Sequence, residues 1–449
     1  MLRLALPVLV EQMLGVLVFF SDRLLAVYYF DESHQAAITS MAYLLWLTYG
    51  IFSLVGIGAT ALVARQVGAG AIRSARHSTN QALLLGVGLA AVVTALGIAG
   101  ADDAVHLMQL KGVAADAGTV YLHYLIPAVP LIMIVVVGNA CLRGAGDMVA
   151  GLVIMAIVNV VNVAVSWALV LGAGPLPSMG WDGIAIGTMT GHAVGGLLML
   201  GLLVRGRRGL RLGWRWLRPH GDLLRRLLRV GVPGGMDMLS IIGCQLWFVT
   251  VINTLGDTAA AAHGVAICIE SMAFLPGAAF QVAAMTLAGQ YLGAKNYRKA
   301  GRSVLMALAV GGGIMMLVGV AIYIGADPAA RVVSGGHREV AALAAPLLRT
   351  VALAMPALAL TMILSGALRG AGDTRWVLGI SLIGLLGVRI PLAYWLALDQ
   401  IVFLPTGHTI PGWDLGVLGA WYAMVVDLSV RAALVLYRFS HGGWKKTEV

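Results

Sequence analysis

The chain has 449 residues, 60% of them hydrophobic and 11% charged, with a mean hydropathy of +0.90 and a formal net charge of +10. Soluble domains carry about 25% charged residues, so the composition excludes an ordinary soluble domain and places the chain in a bilayer. Cys141, Cys244 and Cys268 stand singly, without CxxC or metal spacing, which excludes a disulfide framework and leaves them as small core hydrophobes.

A helix that crosses the hydrocarbon core needs about 20 apolar residues. Twelve segments meet that length: 4–29, 38–64, 79–100, 118–139, 149–172, 183–204, 231–255, 259–288, 302–325, 341–366, 377–398 and 414–437. The first could pass for a signal peptide headed by Arg3. Glu11 interrupts its apolar run, however, and no small-residue cleavage site follows, so it reads as a retained first helix.

The two sets of six spans repeat one plan. Leu142-Arg143-Gly144-Ala145-Gly146-Asp147 returns as Leu368-Arg369-Gly370-Ala371-Gly372-Asp373, and Pro7 and Pro130 return as Pro233 and Pro356. Gly68-Ala69, Arg73, Ala75 and Ser78 recur as Gly293-Ala294, Arg298, Ala300 and Ser303. Six spans return the chain to its starting side, so the second half enters in the same sense as the first. The expected fold is an all-α integral membrane protein with twelve transmembrane helices in two parallel-repeat six-helix lobes. The expected divisions are an N-terminal lobe at 1–204, a basic cytoplasmic linker at 205–230, a C-terminal lobe at 231–438 and a tail at 439–449.

Loops after even-numbered spans hold Arg65, Arg73 and Arg76, then Arg143, a run from Arg205 to Arg229, Lys295 to Arg302, and Arg369 and Arg375. The tail adds Arg438, Lys445 and Lys446, whereas loops after odd-numbered spans hold only Lys111, Arg331 and Arg338. Basic loops stay on the cytoplasmic side, so both termini are expected there, in a multi-pass protein of the cell membrane. The Arg205–Arg229 connector, with Trp214 and Trp216 among its arginines, suits anionic lipid headgroups better than nucleic acid.

No GxxxxGK[ST], HExxH or GxSxG pattern is present, so neither an ATP loop nor a hydrolase site is indicated. Any active transport must then draw on an ion gradient. Ionisable residues within spans are functional candidates by default. The first span carries Glu11 and Asp22 on one face, and Asp237 follows Pro233 as Glu11 follows Pro7. Glu270 lies in the eighth span, Arg389 precedes Pro391 in the eleventh, and Asp427 and Arg431 form an i,i+4 pair in the last. Asn159, Asn162, Gln245 and Gln281 add uncharged polar groups. His192 and His263 are isolated and read as core histidines, and the 20 methionines suit a wall that re-packs around varied ligands.

Pro7 through Glu11-Gln12 to Asp22, Val67-Gly68-Ala69 leading to Arg73, both LRGAGD loops, Ile269-Glu270-Ser271 and Gly289 to Ala294 form an ordered set with Arg389-Ile390-Pro391-Leu392 and Gly443-Trp444. This set resembles the multidrug and toxic compound extrusion (MATE) family along nearly the whole chain. The resemblance implies two six-helix lobes facing a central cavity, and sodium- or proton-driven export of amphipathic, often cationic, compounds by a monomer. It implies no cofactor and no resident metal, beyond a sodium ion near Asp22. A lipid-linked precursor flippase of the wider superfamily is the alternative.

Within the resemblance, Asp22 matches the first-helix aspartate associated with ion coupling, with Asn162 as its neighbour and Glu11 on the same helix. The seventh-helix glutamate of the NorM branch falls on Ile241, and that branch's tenth-helix aspartate falls near Leu358. The asparagine and aspartate that stand four apart in the fifth helix of the DinF branch read Asn162 and Ser166 here. Only part of either ion site is present, so Asp237 and Glu270 become candidates to compensate; together with Gln245 and Gln281 they are also the expected polar lining of the substrate cavity.

Overall fold

A computed structural model describes residues 1–172, 177–403 and 408–447, and its described chain is almost wholly helical. Among the described residues, twelve helical stretches are long and apolar enough to cross a membrane, the number expected from the apolar segments. The chain divides into two compact units, one running from Leu2 to Gly235 with Gly293–Lys295, the other from Met236 to Leu292 and onward from Asn296.

The first unit opens with α1 (Leu2–Tyr29), α2 (Glu32–Gly68) and α3 (Ile72–Leu107). Asp31 caps α2 by accepting a hydrogen bond from the His34 backbone N–H at 3.1 Å. The fourth span is α4 (Val113–Leu125) and α5 (Val129–Gly144), joined by a 3₁₀ turn at Ile126–Ala128. Pro127 and Pro130 cause the interruption, because each removes a backbone donor from the α-ladder. Helices α6 (Val149–Leu171) and α7 (Trp181–Arg205) complete the set, packed closely on each other, with α1 against α6.

The second unit holds most of α8 (Gly221–Asn253), then α9 (Asp257–Gly293), α10 (Tyr297–Ile324), the short α11 (Ala326–Val333) and α12 (Arg338–Gly370). The eleventh span is α13 (Thr374–Leu382), a π-helical segment at Ile383–Arg389 and α14 (Ile390–Ala397). An antiparallel ribbon of β1 (Gln400–Phe403) and β2 (His408–Pro411) follows, and α15 (Gly416–His441) closes the unit. The ribbon falls between two expected spans. Of the tail expected at 439–449, residues 448 and 449 lie outside the described residues.

The basic connector is shorter than hydropathy suggests. Helix α8 begins at Gly221, not near 231, because its first turns are amphipathic: Leu227 and Val230 are buried while Arg225, Arg226 and Arg229 are exposed. The division between units lies inside α8. Its first turns pack on α2 so tightly that a Cβ at Gly231 would stand 2.0 Å from the Leu54 carbonyl oxygen.

The structure gives the leucine, arginine, glycines and aspartate of the repeated LRGAGD motif the same tasks in both units. Gly144 and Gly370 let helices cross at backbone distance: a Cβ would fall 2.8 Å from the Thr60 carbonyl oxygen in one and 2.0 Å from that of Met285 in the other. Gly146 and Gly372 take φ of +81° and +82°, the left-handed position that ends α5 and α12. There the Asp147 N–H bonds the Leu142 carbonyl and the Asp373 N–H that of Leu368, a Schellman closure in each case.

The charged pair of the motif ties three helices together. Arg143 donates to Glu11 of α1 at 2.8 Å, and Arg369 donates to Asp237 of α8. Asp147 accepts from Arg207, just past α7, at 2.5 Å, and Asp373 accepts from Arg438 near the end of α15 at 2.8 Å. Each unit thus has one clasp from its first helix, through the motif, to the end of its last. Burial alone would push the Asp147 carboxyl up, but the Arg207 hydrogen bond, the Ala150 N–H and the charges of Arg207 and Arg208 outweigh it and hold the group below its ordinary value.

Candidate functional site

Asp22 lies on α1 with 2% of its surface exposed. Its Oδ1 accepts from the Asn162 amide of α6 at 3.1 Å, and its Oδ2 accepts from the Thr188 hydroxyl of α7 at 2.6 Å. Thr188 has one proton to give, and the 2.6 Å contact to Asp22 is shorter than the 3.2 Å contact to the Ile184 carbonyl. Its oxygen then accepts from Asn162 at 3.2 Å and from the Tyr121 hydroxyl of α4 at 3.3 Å. Four helices therefore converge on one acid through neutral donors. None of the ion pairs among the described residues includes Asp22.

Buried oxygens on α6, the helix that brings Asn162 to this carboxylate, lack partners among the described residues. Asn162 Oδ1 and Ser166 Oγ are both buried without a hydrogen-bond partner. Ser166 is one helical turn beyond Asn162, and a Cβ at Gly187 would stand 1.9 Å from its hydroxyl, so glycine is what leaves that oxygen its room. Buried polar atoms without partners are uncommon and expensive. One carboxylate with neutral amide and hydroxyl oxygens is a hard-ligand set that suits a proton or a sodium ion. No group of three or more His, Cys, Asp or Glu side chains is placed to hold a metal among the described residues.

The other sequence-predicted acids are placed differently. Glu11 is not joined to Asp22; it accepts from Arg143 and from Asn139 at 2.6 Å. Asp237, fully buried, faces Arg369. These two positions are repeat equivalents, and their partners are repeat equivalents too. Their charge is already compensated within each unit.

Glu270 forms no ion pair among the described residues, and its Oε2 is buried without a hydrogen-bond partner. It lies within electrostatic reach of Arg389. Arg389 leaves the π-helical segment to donate to Asp427 at 2.9 Å, and Arg431 donates to both oxygens of the same carboxylate at 2.8 and 2.6 Å. Two guanidinium groups thus share one carboxylate, and Glu270 is the next acid available to balance them. Gln245 and Gln281 are half-buried. Gln281 lies against Gly366 of α12, and neither glutamine hydrogen-bonds to Asp237 or Glu270 among the described residues.

Sequence reasoning paired Asp22 with Asn162 but missed Thr188 and Tyr121. A hydroxyl in an apolar span carries no charge and disturbs no periodicity. The available signal was the pair of threonines, Thr188 and Thr190, between Gly187 and Gly191.

Comparison with known proteins extends the picture. The family model described as MatE matches residues 7–168 and again 233–395, the two halves of the internal repeat. A probable multidrug resistance protein NorM of Thermotoga maritima is 26% identical over 100% of this chain and 93% of its own length. A probable NorM of Bradyrhizobium diazoefficiens is 27% identical over 98% and 92%. Among solved structures, a MOP superfamily transporter of Pyrococcus furiosus superposes with a TM-score of 0.88 at 21% identity, covering 100% of this chain and 96% of its own.

Proposed function

The chain belongs to the MatE family, and on that premise we propose that it is a secondary active antiporter exporting amphipathic, cationic organic compounds in exchange for protons or sodium ions. The observation that carries this reading is Asp22: a buried acid held by Asn162 and Thr188, with no basic side chain paired to it among the described residues. The relatives named as multidrug resistance proteins support the substrate class.

A carboxylate held only by neutral donors is free to exchange its counter-charge. A proton would sit on a carboxylate oxygen; a sodium ion would be held by that oxygen with the Asn162 and Thr188 oxygens, and Ser166, one turn along α6, could add its hydroxyl. Either ion neutralises the acid and relieves the cost of a bare charge in low dielectric. Ion occupancy links to export only through different affinities in two conformations. In this reading Asp22, Asn162 and Thr188 couple the ion. Glu270, not held in an ion pair, attracts the organic cation, while Glu11 and Asp237 brace the fold. The protein acts as a monomer in the cell membrane with both termini cytoplasmic.

Dye efflux from proteoliposomes tests the reading. Imposing a sodium gradient and a proton gradient separately should give uphill efflux with at least one of them. Equilibration of dye without accumulation under both gradients would contradict active antiport.

A further inference from the structure

The connector between α7 and α8, with the first turns of α8, carries nine arginines that the transport reading leaves unused. It is held in place. Asn80 of α3, fully buried, donates to the Arg211 carbonyl at 3.0 Å and accepts from the Gly213 N–H at 3.0 Å. Gln81, also fully buried, donates to the carbonyls of Trp216 at 2.7 Å and Arg218 at 2.8 Å and accepts from the His220 N–H at 2.9 Å. Trp216 packs on His77 with ring centres 4.9 Å apart, and the Arg76 guanidinium stands 5.8 Å from the centre of its ring. At the repeat-equivalent positions, two and three residues after Ser303, the chain has Leu305 and Met306. The two polar anchors occur only in the half that has a connector to hold.

The anchoring turns outward a surface that the protein does not neutralise. Arg207 is taken by Asp147, and Arg226 pairs with Asp222. Arg215, Arg218, Arg225 and Arg229 are exposed and form no ion pair among the described residues. Trp214 stands among them with 88% of its surface exposed, while its neighbour Trp216 is packed inward. A tryptophan exposed to that degree beside arginines, at the ends of membrane helices, has the amphipathic form that settles at headgroup level.

We propose that the connector together with the first turns of α8, Arg205–Arg229, is a preorganised docking surface for the phosphate headgroups of anionic phospholipids in the adjoining leaflet, with Trp214 as its interfacial anchor. Charge complementarity selects this occupant. The surface lies at the ends of membrane helices, four of its arginines form no ion pair among the described residues, and Asn80 and Gln81 fix its backbone. Each arginine near an anionic surface contributes roughly a fivefold gain in association, and the attraction decays over about 10 Å at 0.1 M salt.

The test uses the full chain reconstituted into vesicles with lipids brominated near the headgroup, either phosphatidylglycerol or phosphatidylcholine. Subtracting the quenching of a Trp214→Phe variant isolates Trp214 from the other tryptophans. Quenching should be stronger with the anionic lipid. The preference should fall at least tenfold in Arg215→Gln/Arg218→Gln/Arg225→Gln/Arg229→Gln and survive when the same four are changed to lysine. Inorganic phosphate at millimolar concentration should leave it intact. Equal quenching by both lipids, an unchanged preference in the glutamine variant, or its abolition by free phosphate would overturn the proposal. Transport plays no part in the readout, so the result stands apart from the antiport reading.

Discussion

Thr188 decides how firmly Asp22 is held. Hydrogen bonds to a charged group contribute about 1.5–3 kcal/mol, and Thr188 supplies the shorter of the two that reach this carboxylate. Thr188→Val keeps the shape of the side chain and removes the hydroxyl. The ion concentration for half-maximal efflux should then shift about tenfold, since 1.4 kcal/mol is a factor of ten. Thr188→Ser should stay within about twofold, and titrating the driving ion in efflux assays checks both. Asp22 and Asn162 were legible in the sequence because a charge or an amide in an apolar run costs energy that only a role explains. Thr188 and Tyr121 were not, because their contribution depends on which helices meet at α1, and linear sequence carries no such record.

The LRGAGD motif shows how an element can be read correctly as important and still not be understood. Its repetition was plain, but the tasks of its residues appeared only when α1 and α8 came into view as the partners of Arg143 and Arg369. The second clasp should be the more sensitive. Asp237 and Arg369 are both buried, and removing one partner of a buried pair costs about 3–5 kcal/mol. Glu11, by contrast, keeps Asn139 when Arg143 is lost. Arg369→Ala should therefore lower resistance to denaturant in detergent more than Arg143→Ala. Asp237→Leu with Arg369→Met should restore most of the loss, because no charge is left stranded. Equal losses from the two alanine variants would contradict a brace of this kind.

At the scale of the whole molecule, the number of spans and the internal repeat followed from composition and spacing: twelve spans lie among the described residues, and the family model matches once in each half. The ends of the helices did not follow. Helix α2 starts at Glu32 where hydropathy placed 38, and α8 starts at Gly221 where it placed 231. Helical hydrogen bonding continues past the apolar stretch into turns whose charged residues face outward, and a hydropathy window stops where the charge begins. Charge placement then separates the acids by partner. Glu11, Asp237 and Asp427 face arginines, whereas Asp22 is held by neutral groups alone.

That separation makes the substitution of Asp22 the most direct test. Asn at position 22 keeps the size of the side chain and can still hydrogen-bond to Asn162 and Thr188, but it cannot exchange a charge. Dye binding and dye efflux by Asp22→Asn should be measured in the same proteoliposomes, under a sodium gradient and then under a proton gradient. The account predicts a folded protein that binds dye within about threefold of the native chain and shows no uphill efflux under either gradient. Full gradient-driven efflux by Asp22→Asn would contradict it.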